Sequence, residues 1–137
     1  MGKIEIRREV LNKPGPLTDS EFDEIKQHTV IGEQILAPVE FLATVRQLVR
    51  HEHERWDGDG YPDGLAGVAI PLGARVICVC DAYDAMVSNR PYRSAMSVED
   101  ALGELRAGAG NQFDPAVVDA VVAELAGDHS LGDARIA

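Results

Sequence analysis

Aromatic residues are scarce in this chain: three Phe, three Tyr and one Trp among 137 residues. A core with so few rings has to be filled by Ala, Val, Leu and Ile, which suits closely packed helices. Basic residues are also in deficit, with 13 Lys and Arg against 23 Asp and Glu, a net charge of −10 and a pI near 4.7. That balance argues against a nucleic-acid polymer as partner, because such binding rests on Lys and Arg neutralising phosphates. A small phosphate ligand stays open, since a local Arg cluster overrides the global sign. The only cysteines, Cys78 and Cys80, lie two residues apart in an apolar run. On a helix they would point to nearly opposite sides, which excludes a mutual disulfide and a zinc clip and leaves core packing, with reduced thiols. No apolar run approaches the ~20 residues that span a bilayer, and no signal peptide opens the chain. No membrane partner is expected, and a cytoplasmic location is the default.

What is present reads as a single domain over 1–137 made of helices with legible caps. Thr18 and Glu21 form a capping box, with Leu17 and Phe22 placed as a hydrophobic staple, and the helix should run through Ile25, His28, Ile31 and Ile35 to Pro38. A second helix covers about Phe41 to His53. Asp57 to Pro71 is rich in Gly, Pro and Asp and must be a loop. Leu72 to about Ser88 is apolar nearly all round and is expected to be a buried central helix. Ser97 with Asp100 caps a helix through Leu102 and Leu105. Asp114 and Pro115 start the last one as N-cap and first residue, and Gly127 is expected to stop it. The fold class is therefore all-α, with about five helices.

The stretch HEHERWDGDGYPDG, His51 to Gly64, carries the densest chemistry. A divalent metal needs several His and carboxylate ligands from different elements. The candidates are His28, the His51/Glu52/His53/Glu54 cluster and Asp81. Asp81 sits in VCDAYDAM, where an ionised carboxylate among apolar neighbours is costly unless it is paired or bound to a cation. Asp84 lies one turn further on the same side, and Arg75 and Arg90 are the alternative partners for Asp81. Asp57-Gly58-Asp59 opens like a calcium loop but fails it, because Tyr61, Pro62 and Val68 fill the fifth, sixth and twelfth positions. Downstream, Arg90 and Arg93 flank a rigid Pro-Tyr step and could grip phosphate oxygens, unless local carboxylates claim them.

The string His53-Glu54-Arg55-Trp56-Asp57-Gly58-Asp59-Gly60-Tyr61-Pro62 resembles the signature of HD-GYP domains, bacterial metal-dependent phosphodiesterases that act on cyclic di-GMP. Gly2-Lys3-Ile4, Leu11-Asn12-Lys13-Pro14-Gly15-Pro16-Leu17-Thr18, Lys26-Gln27-His28, Ile70-Pro71-Leu72-Gly73-Ala74-Arg75-Val76, Asp81-Ala82-Tyr83-Asp84-Ala85-Met86, Arg90-Pro91-Tyr92-Arg93 and Phe113-Asp114-Pro115 resemble further family motifs in the same order. The resemblance implies metal ligands at His28, His53 and Asp81, and a catalytic lysine beside the scissile phosphate at Lys3. It implies substrate-binding roles for Arg90, Arg93 and Asp84, while Tyr61 shapes the substrate mouth. The implied cofactor is a divalent metal, iron or manganese, with roughly two or three ions in an intact homologue. The implied partners are a cyclic dinucleotide, a diguanylate cyclase touching the Tyr61 loop, and an upstream sensor or receiver domain.

Two departures qualify these expectations. Glu52 stands where the family has the first of two adjacent histidines, and its oxygen is expected to serve as a substitute ligand. His51 is one residue off, about 100° away on a helix, and cannot take that role. The HD dyad itself is not in this sequence, and its Asp would align just ahead of Met1. A start inside a longer reading frame, or a truncated gene, is therefore expected. Without that bridging Asp no group holds both ions, so this chain by itself is expected to be impaired, with the metal retained or lost. Apolar surface left uncovered would favour homo-oligomers. The alternative reading is a non-catalytic signalling module that binds a partner protein or cyclic di-GMP through the Tyr61 loop and Arg90/Arg93.

Overall fold

The computed structural model describes residues 6–90 and 93–132, and side chains within the last helix as far as Gly127. Lys3, Pro91 and Tyr92 fall outside the described residues. The described chain holds six α-helices and two short 3-10 turns, with only isolated bridges in place of strands. It divides into two compact units, Met1–Ala74 and Arg75–Ala137.

In the first unit, α1 (Arg8–Leu11) is a single turn that buries Val10 and precedes α2 (Asp19–Leu36). The capping box forms as the sequence predicts: Glu21 N–H donates to Thr18 Oγ1 at 3.3 Å, and Thr18 N–H donates to Glu21 Oε2 at 2.7 Å. Lys13 Nζ reaches the same carboxylate at 2.6 Å. Its hydrogen bond is the main reason that carboxyl is lowered to about 2. Phe22, the residue expected to staple Leu17, is 44% exposed and sets its ring edge-on to Tyr61. A 3-10 turn (Glu40–Leu42) leads into α3 (Ala43–His51), which packs on α2. Glu33 of α2 ties the pair by accepting from Arg46 at 2.8 Å and Arg50 at 3.0 Å. Helix α3 stops at His51, two residues short of the expected His53. That early stop decides how the site is built.

Helix α4 (Leu72–Val87) begins in the first unit and continues into the second. At its start, any side chain on residue 73 would meet Leu48 Cδ2 at 2.8 Å, so glycine sets that approach. In the second unit, Val79 of α4 joins Leu102 and Leu105 of α5 (Val98–Gly108) and Phe113, Val117, Val118 and Val122 at and within α6 (Pro115–Gly132). Ser97 caps α5 by accepting from Asp100 N–H at 3.0 Å. Asp114, 5% exposed, caps α6 through Ala116 N–H at 2.9 Å and receives Arg75 Nη1 at 2.6 Å.

Three expectations need correction here. Helix α4 is not buried all round: Leu72 (61%), Val76 (38%) and Cys80 lie on an exposed stripe spaced by four residues. An all-apolar run hides this, because one helix can direct only part of its girdle into a core. Cys80 is thus exposed rather than core-packed, and neither Cys78 nor Cys80 is in a disulfide. Gly127 does not stop α6, which runs on to Gly132. A mid-helix glycine costs only about 1 kcal/mol relative to Ala, too little to end a helix by itself.

Candidate metal centre and the loop beside it

Because α3 ends at His51, residues 52–54 leave the helix as a turn, and the alternating string separates into two clusters. Glu52 and His53 join His28 of α2. The Nε2 atoms of His28 and His53 face each other at 3.2 Å, with Glu52 Oε1 3.6 Å from the first and 3.8 Å from the second. His28 is 1% exposed, and its Nδ1 lies 2.5 Å from the Ile25 carbonyl. A carbonyl only accepts, so Nδ1 carries the proton and the Nε2 lone pair is left pointing at His53 and Glu52. Orientation of a histidine by its other ring nitrogen is the usual support of a metal ligand. Two imidazole nitrogens and one carboxylate oxygen, mutually in reach and half shielded, fit a divalent cation.

The other two residues of the string do different work. His51 Nε2 donates to Asp63 Oδ2 at 2.9 Å, its Nδ1 being 2.8 Å from the Gln47 carbonyl. Arg50 binds the same carboxylate with both Nε and Nη2 at 2.8 Å. These Arg50 hydrogen bonds, then that of His51, lower the Asp63 carboxyl to about 2. Glu54, 2% exposed, spends both oxygens on loop amides, accepting from Asp63 N–H at 2.7 Å and Leu65 N–H at 3.0 Å. His51, Glu54 and Asp63 also lie within metal-ligating range of one another, but these lone pairs are already committed to the loop. Sequence reasoning did not assign this anchor. Its one signal was a buried-type carboxylate placed just ahead of a Gly-rich loop full of unpaired amides.

The anchored loop brings Tyr61 over the histidines. Gly60 permits this, since a Cβ there would lie 2.3 Å from Arg55 N and 2.6 Å from Glu54 Cα. Tyr61 N–H then donates to the His53 carbonyl at 3.2 Å. Its ring lies 5.2 Å from that of His53, tilted by 32°, and 6.5 Å from that of His28. Burial, and secondarily the Glu52 charge, push the Tyr61 hydroxyl above its ordinary range, so it stays protonated.

The remaining expected site residues lie in the second unit. Asp81 and Asp84 are exposed on α4, and Ser88 Oγ donates to Asp84 at 3.4 Å. The desolvation argument for Asp81 therefore fails, although its place in the motif does not change. Arg75 pairs with Asp114 rather than with Asp81. Arg90 and Arg93 exchange both backbone hydrogen bonds, at 2.9 and 3.1 Å, which puts directly opposed side chains on one face. Both are exposed. Arg93 donates to the Ala85 carbonyl at 2.5 Å, and among the described residues neither arginine makes a salt bridge with a carboxylate.

A family model described as HD domain matches residues 1–117. The chain belongs to the HD domain family. Its Gly60-Tyr61-Pro62 loop and its relatives put it in the HD-GYP branch. It is 43% identical to the cyclic di-GMP phosphodiesterase response regulator RpfG of Xanthomonas campestris over 98% of this chain and 38% of that protein. It is 45% identical to a cyclic di-GMP phosphodiesterase of Vibrio cholerae, covering 90% of this chain and 26% of the relative. A Thermotoga maritima cyclic di-GMP phosphodiesterase is 43% identical over 88% of this chain and 33% of its own length. The chain thus spans about a quarter to two-fifths of these relatives. Among solved structures, a cyclic GMP-AMP specific phosphodiesterase of V. cholerae superposes with a TM-score of 0.64 at 25% identity, over 86% of this chain and 31% of that one. The HD domain family carries the expectation of divalent metal, and the His28/Glu52/His53 triad has the chemistry to hold it.

Proposed function

We propose that this chain is the metal-holding and substrate-facing part of a phosphodiesterase that hydrolyses a cyclic dinucleotide. The observation that carries the reading is the pair of facing imidazole nitrogens, 3.2 Å apart, beside the Glu52 carboxylate. Relatives named as cyclic di-GMP phosphodiesterases supply the substrate class. His28, Glu52 and His53 hold the metal, with Asp81 as a further ligand and Lys3 beside the reacting phosphate, as the family motifs imply. An oxygen donor beside two nitrogens suits iron or manganese. When bound, the metal supplies Lewis-acid stabilisation and lowers the pKa of water. The net reaction adds water across one phosphodiester: a P–O bond to a 3′ oxygen breaks, the water oxygen joins phosphorus, and the 3′ oxygen leaves with a proton. Arg90 and Arg93 share a face and hold no carboxylate among the described residues, so their guanidinium groups can orient phosphate oxygens, with Asp84 near them in sequence. Tyr61 shields the histidines and borders the substrate.

The test is metal content after anaerobic purification, followed by product analysis with cyclic di-GMP. Wild type should retain iron or manganese, and His28→Ala and His53→Ala should lose most of it. Equal metal in wild type and His28→Ala would overturn the assignment of the site. Formation of the linear dinucleotide by the metal-loaded chain would establish the activity.

A further inference from the structure

Phe22 is the one ring of the first unit's aromatic cluster left substantially in solvent, 44% exposed at the start of α2. It meets Tyr61 edge to face at 6.1 Å, and Tyr61 in turn lies 5.2 Å from His53. A row of rings therefore leads from solvent to the candidate metal centre. One helical turn beyond Phe22, Lys26 sets its ammonium 4.6 Å from the Phe22 centroid and 3.2 Å from the Asp23 carboxylate. Neither Phe22 nor Lys26 has a part in the triad or in the loop anchor.

We propose that Phe22 and Lys26 form the subsite for one guanine base of a cyclic dinucleotide, Phe22 stacking on the base and Lys26 donating to its O6/N7 edge. The inference rests on the phosphodiesterase reading above and adds to it the feature that selects the base. A nucleotide carries its base one sugar away from its phosphate, so a base platform belongs beside the reacting centre, as this row of rings provides. Stacking on an aromatic ring strengthens binding about 5- to 150-fold per base. The exposed cation–π contact it displaces is worth only about 2- to 5-fold. The base therefore takes the ring face, and the flexible ammonium moves to its rim. There an ammonium, which only donates, matches the two acceptors of guanine and clashes with the N6 donor of adenine.

The experiment is calorimetric titration of the 137-residue chain, loaded with Mn(II), with cyclic di-GMP and separately with cyclic di-AMP. Wild type should prefer cyclic di-GMP. Phe22→Ala and Phe22→Leu should each bind about 10-fold more weakly, since leucine keeps apolar bulk without a π face, whereas Phe22→Trp should retain affinity. Lys26→Met should bring the two ligands within about twofold of each other. Unfolding midpoints of all four variants, which alter exposed or half-exposed positions, should match wild type and so separate recognition from folding. Wild-type affinity in Phe22→Leu, or an unchanged preference in Lys26→Met, overturns this inference and leaves the phosphodiesterase reading standing. Absence of any cyclic dinucleotide binding by metal-loaded wild type overturns both.

Discussion

Replacing Glu54 tests whether the loop is held by a buried carboxylate or merely rests beside it. Glu54 is 2% exposed, and each of its oxygens accepts a loop amide, from Asp63 at 2.7 Å and Leu65 at 3.0 Å. Glu54→Ala leaves two N–H groups without an acceptor, at about 1–3 kcal/mol each, and opens a small void besides. The expected loss is about 4 kcal/mol, which lowers the unfolding midpoint by about 10 °C or more in a chain of this size. Glu54→Gln keeps one acceptor and sets an NH2 against the other amide, so about 2 kcal/mol should be lost. Glu52→Gln is the matched control, because the Glu52 contacts to the histidines, 3.6 and 3.8 Å, are too long to be hydrogen bonds. Thermal melts in chelator and elemental analysis after metal loading should therefore diverge. Glu54→Gln should melt early yet bind metal, and Glu52→Gln should melt normally yet bind poorly. A midpoint change below about 2 °C for Glu54→Ala would refute the reasoning, since freed amides would then be satisfied by water.

Gly60→Ala should be more damaging than its size suggests, because its Cβ would sit 2.3 Å from Arg55 N. A loss of about 3 kcal/mol or more in urea unfolding is expected, with metal affinity falling as Tyr61 is displaced. Asp114→Ala removes the buried partner of Arg75, whose ion pair is 2.6 Å long, together with the α6 cap. It should cost about 3–5 kcal/mol by the same assay. Asp63 titrates near 2 when folded, chiefly through Arg50, which is below its ordinary value of 3.8. Its contribution is therefore complete above that ordinary value and is lost as pH falls through about 2. Because Asp63 is a third exposed, the loss should be only about 1 kcal/mol. It should be visible as a steeper acid melt in wild type than in Asp63→Ala.

The helices that carry cap signals were legible in the sequence. Thr18 with Glu21, Ser97 with Asp100, and Asp114 with Pro115 each declare a backbone hydrogen bond that the fold then makes. Helix α1 was not legible, because a four-residue turn is too short to show a period. The exposed stripe of α4 was hidden for the opposite reason: Val and Cys occupy its solvent face as well as its buried one. His28 and His53 were found through their motifs, and the structure adds what a motif cannot, their facing nitrogens. The partition of His51 to Glu54 could not be read, because it turns on where α3 ends, and helix ends are uncertain by a residue or two from local signals. Two more helical residues would have put His53 and Glu54 in different directions.

That partition makes the candidate metal centre and the Gly-rich loop mechanically one segment. Positions 51 and 54 hold the loop through Asp63 and Leu65, while positions 52 and 53 face His28. Between them lies no spacer that could absorb a shift. Moving the loop displaces Glu52 and His53, and displacing His53 moves Tyr61, whose amide is bonded to the His53 carbonyl. Charge is arranged to the same end. In a chain of net charge −10, the cyclic dinucleotide proposed above would be repelled at long range and would have to be drawn in by local positive groups. Arg46 and Arg50 are neutralised by Glu33 and Asp63, so the anchor adds rigidity without adding field. Among the described residues, Arg90 and Arg93 by contrast make no salt bridge with a carboxylate, and on the reading proposed above they are groups whose charge stays available to phosphate. Raising the salt concentration should therefore weaken binding less than it would for a broad basic surface, because the attraction acts within contact distance, shorter than the screening length of about 8 Å.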